Sequence, residues 1–275
     1  MASPNIHNTA AVTVWYHPGE KEAEAVQLYR EQVAFTVVVD NSDEDNRALL
    51  KGMEKVIYLP LHSNQGIAAA LNRGAEYCLE QGVEWVLTMD QDSRWDQQSV
   101  TDYMQAAARY EEQDKVAIFS PFQDCDGHPE KHHRKGEYEQ REMVMCSGNL
   151  LRLKAWQEAK GFREDFFIDI VDEEICCHLR QLGWQVVRIN SILLTHHLGN
   201  GVRHTGLTKH AYTVHPAWRY YYIARNIRRM LQLYPAMRPY YKHQVYKYLK
   251  RLFLYDFDHK IDKLKAFYKG WRADR

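Results

Sequence analysis

The chain has 275 residues, 45% of them hydrophobic, with 36 basic residues against 36 acidic ones. That length and apolar content can bury a large core, which argues against a disordered chain, and the overall charge balance gives no ground for a nucleic-acid binder. The balance hides an asymmetry: Trp218 to Arg275 carries fifteen Lys and Arg against four acids, so the preceding 217 residues hold a compensating excess of eleven acids, and the two regions are expected to meet different partners.

Along the chain, short apolar runs alternate with helical patterns, the signature of βαβ units around a mostly parallel sheet. "AAVTVWY" (10–16) reads as a first strand, followed by a helix over roughly Glu20 to Gln32. "FTVVVDNS" (35–42) and "KVIYLP" (55–60) are the next strands, and "SNQGIAAALNRGAEYCLEQG" opens as a polar turn and continues as a helix that Gly82 stops. "VEWVLTMDQDS" is a fourth strand and "KVAIFSPFQD" (115–124) a further one. The stretch from Asp126 to Arg141 looks like a solvated excursion, and "MVMCSGNLLRLKAWQEAKGF" reads as strand, turn and helix. "FREDFFIDIVDEEICCHLRQLGWQV" carries a dense acidic knot into a helix ended by Gly183, and "QVVRINSILLTHHLGNG" (185–201) is strand then loop. From His215 the pattern is helical with aromatic and basic residues interleaved, broken at Pro235 and Pro239.

The five cysteines are odd in number and form no CxxC pair, so neither a disulfide framework nor a zinc site is expected, and a reducing cytoplasm fits. The N-terminal "MASPNIHNTAAVTVWY" lacks the basic-then-apolar pattern of a secretory signal. No apolar run approaches the ~18 residues a membrane span needs, so membrane contact is expected to be peripheral.

The polar residues cluster at the carboxyl ends of strands, where open α/β sheets place their ligand crevice. "TMDQDS" (88–93) is the most telling case, with Asp90 and Asp92 flanking Gln91 where an apolar strand leaves the core. Two carboxylates so placed can hold a divalent ion such as Mg2+ or Mn2+, which prefers oxygen ligands and leaves positions open for phosphate oxygens. The same four residues would also serve as an ordinary Asx-capped turn.

Taken together, "VVVDNS", "NQGIAAALNRG", "LTMDQDS", "CSGNLLRLKAW", "FFIDIVDEEICCHLRQLGW", "HHLGNG" and "RYYYIARN", in that order between about Ala11 and Arg229, resemble the family 2 glycosyltransferases of the GT-A fold, and more closely their bacterial rhamnosyltransferase branch. The resemblance implies a Rossmann-like, mostly parallel sheet flanked by helices. It implies a catalytic domain over 1–217, with nucleotide-sugar binding over about 1–100 and acceptor and catalytic parts over about 101–217, followed by a basic, aromatic helical extension over 218–275.

It also implies roles for single residues. Tyr16 lines the base pocket, and Asp40 accepts from the imide N–H of uracil or thymine, with Asn41 beside it. Asn64 and Gly66 let the backbone approach ribose and diphosphate, while Asn72 either faces the same crevice or covers the helix surface. Asp90 and Gln91 serve the nucleotide side and Asp92 the metal, joined by His196, with His197 as the rival ligand. The family's base is the aspartate of a segment written roughly "FFxYxEDxDLxxR"; here that position is Asp172, with Val171 where a glutamate is usual. Asp169, Glu173, Glu174 and Arg219 are assigned to the sugar or acceptor. An acidic helix start favoured by the macrodipole would explain one or two of these acids, less easily the whole group.

The implied activity is inverting transfer of L-rhamnose from dTDP-β-L-rhamnose to a saccharide, carried on a polyprenyl diphosphate at the cytoplasmic membrane face, as in O-antigen or capsule synthesis. The same fold using a UDP-hexose or galactofuranosyl donor is the alternative. A catalytically inactive carbohydrate-binding module and a nucleic-acid binder built on the basic tail are readings of other classes. Joint retention of Asp90, Asp92, Asp172 and His196 argues against the first, and the acidic first region against the second. The tail, with aromatics from Tyr240 to Trp271 among its cations, is expected to lie on an anionic membrane or to pack on the protein.

Overall fold

The computed structural model describes residues 2–95, 99–125, 128–129, 136–196, 202–204, 211–213, 215–254 and 256–273. Strands β1 (Thr9–Trp15), β2 (Thr36–Asp40) and β3 (Val56–Pro60) pair in parallel, with α1 (Glu20–Gln27) after β1 and α2 (Ile67–Glu80) after β3. β4 (Trp85–Asp90) returns on the other side of β1, also parallel, and leads to the two-residue β5 (Ser93–Arg94) and to α3 (Val100–Ala108). β6 (Val116–Cys125), β7 (His128–Pro129), β8 (Tyr138–Gln140), β9 (Asn149–Arg152), α4 (Leu153–Glu158), α5 (Val171–Gln181) and β10 (Gln185–His196) complete the sheet half of the chain. A separate pair, β11 (Val202–His204) and β12 (Ala211–Thr213), precedes α6 (Ala217–Leu233), α7 (Arg238–Leu254) and α8 (Lys260–Arg272).

The main sheet runs β3-β2-β1-β4-β9-β6-β10-β5, with β7 and β8 attached to β6 and β10. Its first half is parallel, as expected, but β9 enters antiparallel between β4 and β6, so the second half is mixed. Side-chain alternation sorts the core into two layers. Val12, Val14, Val37 and Val39 share one layer with buried residues of α2, α5 and α6, while Ala11, Val38, Leu87 and Met89 share the other with Tyr103 and Met104 of α3.

Four local expectations change. The strand near "MVMCSGNLLR" lies after the Ser147-Gly148 turn, because Asn149–Arg152 supplies the unbroken buried run that can pair on both sides. Part of the excursion over 126–141 is structured, since Tyr138–Gln140 pairs with β10. Pro239 sits in the first turn of α7, where its missing N–H costs nothing, so the chain breaks instead at Pro235 and again between Leu254 and His259. The first helix stops at Gln27 and continues only as a short 3-10 turn over Arg30–Gln32.

The C-terminal helices are built onto the core. Ile223, Ile227, Met230 and Tyr241 belong to the larger core layer. α8 lies close against α6 at Gly270, where a Cβ would stand 2.0 Å from the Tyr221 carbonyl oxygen. Among the described residues, no helix is long and apolar enough to cross a membrane.

Candidate active site

Parallel register makes the crevice. Trp15 is level with Asp40, Val14 with Asp90 and Asp40 with Pro60, so the turns leaving β1, β2, β3 and β4 converge at one edge. Side-chain amides then stitch these turns together. Gln91 accepts from the Tyr16 N–H at 2.7 Å and donates to its carbonyl at 3.3 Å, fixing the Asp-Gln-Asp turn to the exit of β1. Asn41 accepts from the Gln65 N–H at 2.8 Å and donates to the Asn64 side chain at 3.1 Å, and Asn64 in turn accepts from the Gly66 N–H at 3.0 Å. The tyrosine ring of Tyr16 is left exposed at the rim.

Of the residues expected at the nucleotide, Asp40 and Asn72 are engaged within the protein, and Gly66 has a structural duty as well. Asp40 is fully buried and accepts from the Ser42 N–H, the Asn46 amide and the Tyr58 hydroxyl at 3.0, 2.9 and 2.6 Å. Burial pushes its proton affinity up, but the hydrogen bonds from Ser42, Tyr58 and Asn46 outweigh it and hold the carboxyl below its ordinary range. It organises the loop that follows β2 and presents no open edge to a base. Gly66, at φ 90°, is required by the protein itself: a Cβ there would meet Phe167 atoms at 2.6 to 2.9 Å. Asn72 neither faces the crevice nor covers the helix; it is buried, donating to the Phe162 carbonyl and Glu164 at 2.9 Å each and accepting from the Phe162 N–H and the Trp156 indole.

The acidic groups gather below this edge. Asp90 is half-buried at the end of β4, and desolvation together with the Asp92 and Asp172 carboxylates pushes its pKa up to about 7. Its backbone N–H donates to Ser147 Oγ at 3.0 Å, and Ser147 donates on to Ser93 Oγ at 2.7 Å, so the turn before β9 carries the turn after β4. β10 brings the His196 backbone opposite Ser93, next to Asp92 in sequence. His197 lies outside the described residues. Among the described residues no three His, Cys, Asp or Glu side chains form a ready metal cluster. The Asp90 and Asp92 pair nevertheless suits a hard divalent cation, since such an ion would relieve the carboxylate repulsion that raises Asp90.

The segment 166–172 faces that pair under strain. Phe167, Asp169 and Ile170 have φ of 63°, 63° and 65°, a region that costs non-glycine residues on the order of 1–3 kcal/mol each. Distant groups hold it there. The Asn226 amide donates to the carbonyls of Phe166, Ile168 and Asp169, all at 2.9 Å, and Arg225 reaches those of Asp165 and Phe166. The Ile67 N–H donates to the Phe167 carbonyl at 2.8 Å, and Arg219 forks onto Asp169 at 2.9 to 3.0 Å. Arg219, expected at sugar or acceptor, is thus engaged by Asp169 and braces the loop.

Asp172 opens α5. Burial raises its pKa to about 6, with Asp169 adding and backbone N–H groups of Glu173, Asp172 itself and Cys146 opposing. Glu173 is pushed to about 7 by burial and by Asp172, and accepts from the hydroxyls of Tyr241 at 2.6 Å and Tyr240 at 3.5 Å. Glu174 points into the core, accepting from Tyr234 at 2.5 Å with its proton affinity raised by burial, so it is withdrawn from any sugar. The N-terminal turn of a helix thus holds one carboxylate at the mouth and two against α7 and its approach. Arg225 and Asn226 fall within the "RYYYIARN" motif, yet the sequence pattern assigned no role at the site to Asn226 or to Tyr241. A buried Asn between Ile223 and Ile227 on an apolar helix face was the one available signal, because such an amide must find partners.

Comparison with known proteins follows this geometry. A family model described as glycosyl transferase family 2 matches residues 23–172. The dTDP-rhamnosyl transferase RfbF of Shigella flexneri is 30% identical over 244 residues, covering 82% of this chain and 80% of that protein. A crystal structure of GalNAc-T7 with UDP, GalNAc and Mn2+ aligns with a TM-score of 0.56 and 11% identity, covering 70% of this chain and 44% of that one. The chain therefore spans less than half of that larger protein, and the likeness concerns the fold.

Proposed function

This chain belongs to glycosyl transferase family 2 and has the GT-A fold, and on that premise we propose that it transfers L-rhamnose from dTDP-β-L-rhamnose to a saccharide with inversion at the anomeric carbon. The observation that carries the reading is the placement of the half-buried Asp172 in the first turn of α5, directly after the strained 167–170 segment, with burial raising its proton affinity and its charge acting on Asp90. Identity to the Shigella enzyme over most of both chains supports the donor.

In this mechanism the acceptor hydroxyl attacks the anomeric carbon while Asp172 takes its proton. The bond from that carbon to the β-phosphate oxygen breaks on the opposite face, dTDP leaves, and the β-linked donor yields an α-linkage. Mg2+ or Mn2+, held by Asp90, Asp92 and His196, would offset the negative charge gathering on the departing diphosphate. Tyr16, Asn41, Asn64 and Gln91 shape the nucleotide side through the turns they join. Asp169 and Arg219 hold the loop that presents the base, at the edge where sugar and acceptor meet.

We assign catalysis to 1–217, with 218–275 as an extension whose helices brace the catalytic loop. The acceptor is a saccharide on a polyprenyl diphosphate at the cytoplasmic membrane face, in surface-polysaccharide synthesis; the basic C-terminal region supports that assignment.

Thermal denaturation with dTDP-, UDP- and GDP-sugars, each with Mg2+, Mn2+ or EDTA, tests the donor, since a ligand that binds only the folded state raises the melting temperature. dTDP-rhamnose should stabilise most and only with metal. Asp92→Asn should abolish that metal-dependent gain and turnover while leaving the fold intact. Stabilisation by a UDP-sugar instead would reassign the donor, and near-normal turnover of Asp92→Asn would remove the aspartate from the metal site.

A further inference from the structure

The aromatic residues of the C-terminal region divide into two sets. Tyr240, Tyr241, Tyr248, Phe267 and Trp271 pack inward against the core or against α6. Phe253, Leu254, Phe257 and Ile261 do not: they are 54%, 53%, 67% and 68% exposed, and all stand at the corner where α7 gives way to α8. The Lys260 ammonium lies 5.2 Å from the ring centres of both Phe253 and Phe257, which joins these two rings, with Leu254 and Ile261 near them in sequence at the same corner. Large apolar side chains clustered and exposed in this way mark an interaction surface.

The base of the corner is rigid. Lys263 and Asp256 form a buried pair at 2.6 Å, Tyr220 donates to the same carboxylate at 3.0 Å, and Gly270 brings α8 against α6. The patch is therefore presented by a fixed scaffold, and the chain around it supplies charge. Lys247, Lys250, Lys265, Lys269 and Arg272 are exposed on α7 and α8, against the exposed Asp258 and Asp262, the third nearby acid being neutralised by Lys263.

We propose that this corner docks on an anionic lipid surface, with Phe253, Leu254, Phe257 and Ile261 entering the headgroup boundary and the lysines of α7 and α8 meeting lipid phosphates. Apolar side chains ringed by cations are the chemistry that such a surface selects. A second copy of the chain is a poorer occupant, because a two-fold contact would set the same lysines against one another. Leu254 lies thirteen positions beyond Tyr241, the residue that touches Glu173, so α7 sets the patch about 20 Å along its axis from the catalytic segment. Docking and chemistry are thereby separated, as transfer to a lipid-carried acceptor requires. The docking assignment rests on the lipid-linked acceptor reading above.

The test is co-sedimentation of the full chain with vesicles of phosphatidylcholine alone or mixed with phosphatidylglycerol, alongside transfer to a short water-soluble saccharide. The wild type should bind only the phosphatidylglycerol vesicles and be released by salt. Phe257→Ser with Ile261→Ser should weaken binding by about tenfold or more and leave transfer to the soluble acceptor unchanged. Lys250→Glu with Lys265→Glu should weaken it as well and flatten the salt dependence. Indifference of the wild type to anionic vesicles at low salt, or equal binding by the apolar double variant, overturns the proposal. So does concentration-dependent self-association that the apolar variant abolishes, since a second copy would then cover the corner. Vesicle binding without transfer from dTDP-rhamnose would leave the docking intact and overturn the donor assignment alone.

Discussion

The two sides of the crevice are held by different means. On the nucleotide side, turns leaving adjacent parallel strands are joined by Asn41, Asn64 and Gln91, and the positive-φ positions stand singly, at His17, His62 and Gly66. On the catalytic side, three non-glycine residues stand together within 167–170 at positive φ, held by Asn226, Arg225 and Arg219 from a helix, at separations of 50 to 60 positions in sequence. The first side is thus set by neighbouring strand register, and the second is strained and depends on α6 and α7 docking. Strain of this kind persists only where the surroundings over-determine it, and it orients Asp172.

The largest effect that sharpens this contrast is Asp172→Asn. It should keep dTDP affinity and lose transfer by on the order of a hundredfold or more, because the proton leaves the acceptor chiefly in the transition state. A dead Asp169→Asn beside an active Asp172→Asn would move the base one acid upstream. Next in size, Asn226→Ala removes a donor from three carbonyls, of which that of Phe166 keeps Arg225. Stability should fall by about 1–3 kcal/mol in denaturant titration and kcat by roughly tenfold, with donor affinity held. Asn41→Ala should do the reverse on a smaller scale, raising donor KM several-fold, on the order of 1 kcal/mol, with kcat near normal. If Asn41→Ala instead lowers kcat as much as Asn226→Ala does, the division between a nucleotide side and a catalytic side fails.

The smallest expected effect concerns Glu173. Its pKa is raised to about 7 in the fold, by burial first and by the Asp172 carboxylate second, from an ordinary value of 4.5. Between those two values the folded state holds the proton more tightly than the unfolded chain, so this group's contribution falls as pH rises through the window. Glu173→Gln cannot ionise. Its melting temperature in EDTA should therefore gain on that of the wild type between about pH 5 and about pH 7.5. A difference that stays constant, or shrinks, would show that Tyr240 and Tyr241 compensate the buried charge fully.

Much of the fold was legible because it follows local rules. Val12, Val14, Val37 and Val39 alternate with residues of the other layer, α2 starts after Gly66, and the acids of "DQDS" and "IDIVDEE" lie at a strand exit and a helix start. The family match over residues 23–172 covers the first four motifs that carried the resemblance and the start of the fifth, up to Asp172. Less legible was the antiparallel β9 between two strands that would otherwise be neighbours, since a four-residue strand with only two apolar residues, Leu150 and Leu151, does not state its direction.

What the amino-acid order determined by itself was the set of strands and helices and the carboxylates at their ends, because periodicity and capping act over a few residues. Only the tertiary structure decided what those carboxylates do. Asp40 is occupied by Asn46 and Tyr58, Glu174 by Tyr234 and Glu173 by Tyr241, while Asp172 remains at the mouth with Asp90. It likewise decided which tail aromatics are core and which are surface, turning Tyr241 and Phe267 inward and leaving Phe253 and Phe257 outside. The physical reason is the same in each case. A hydrogen bond or contact between segments dozens of residues apart leaves no repeat in the sequence, and exists only once the packed core has brought its two ends together.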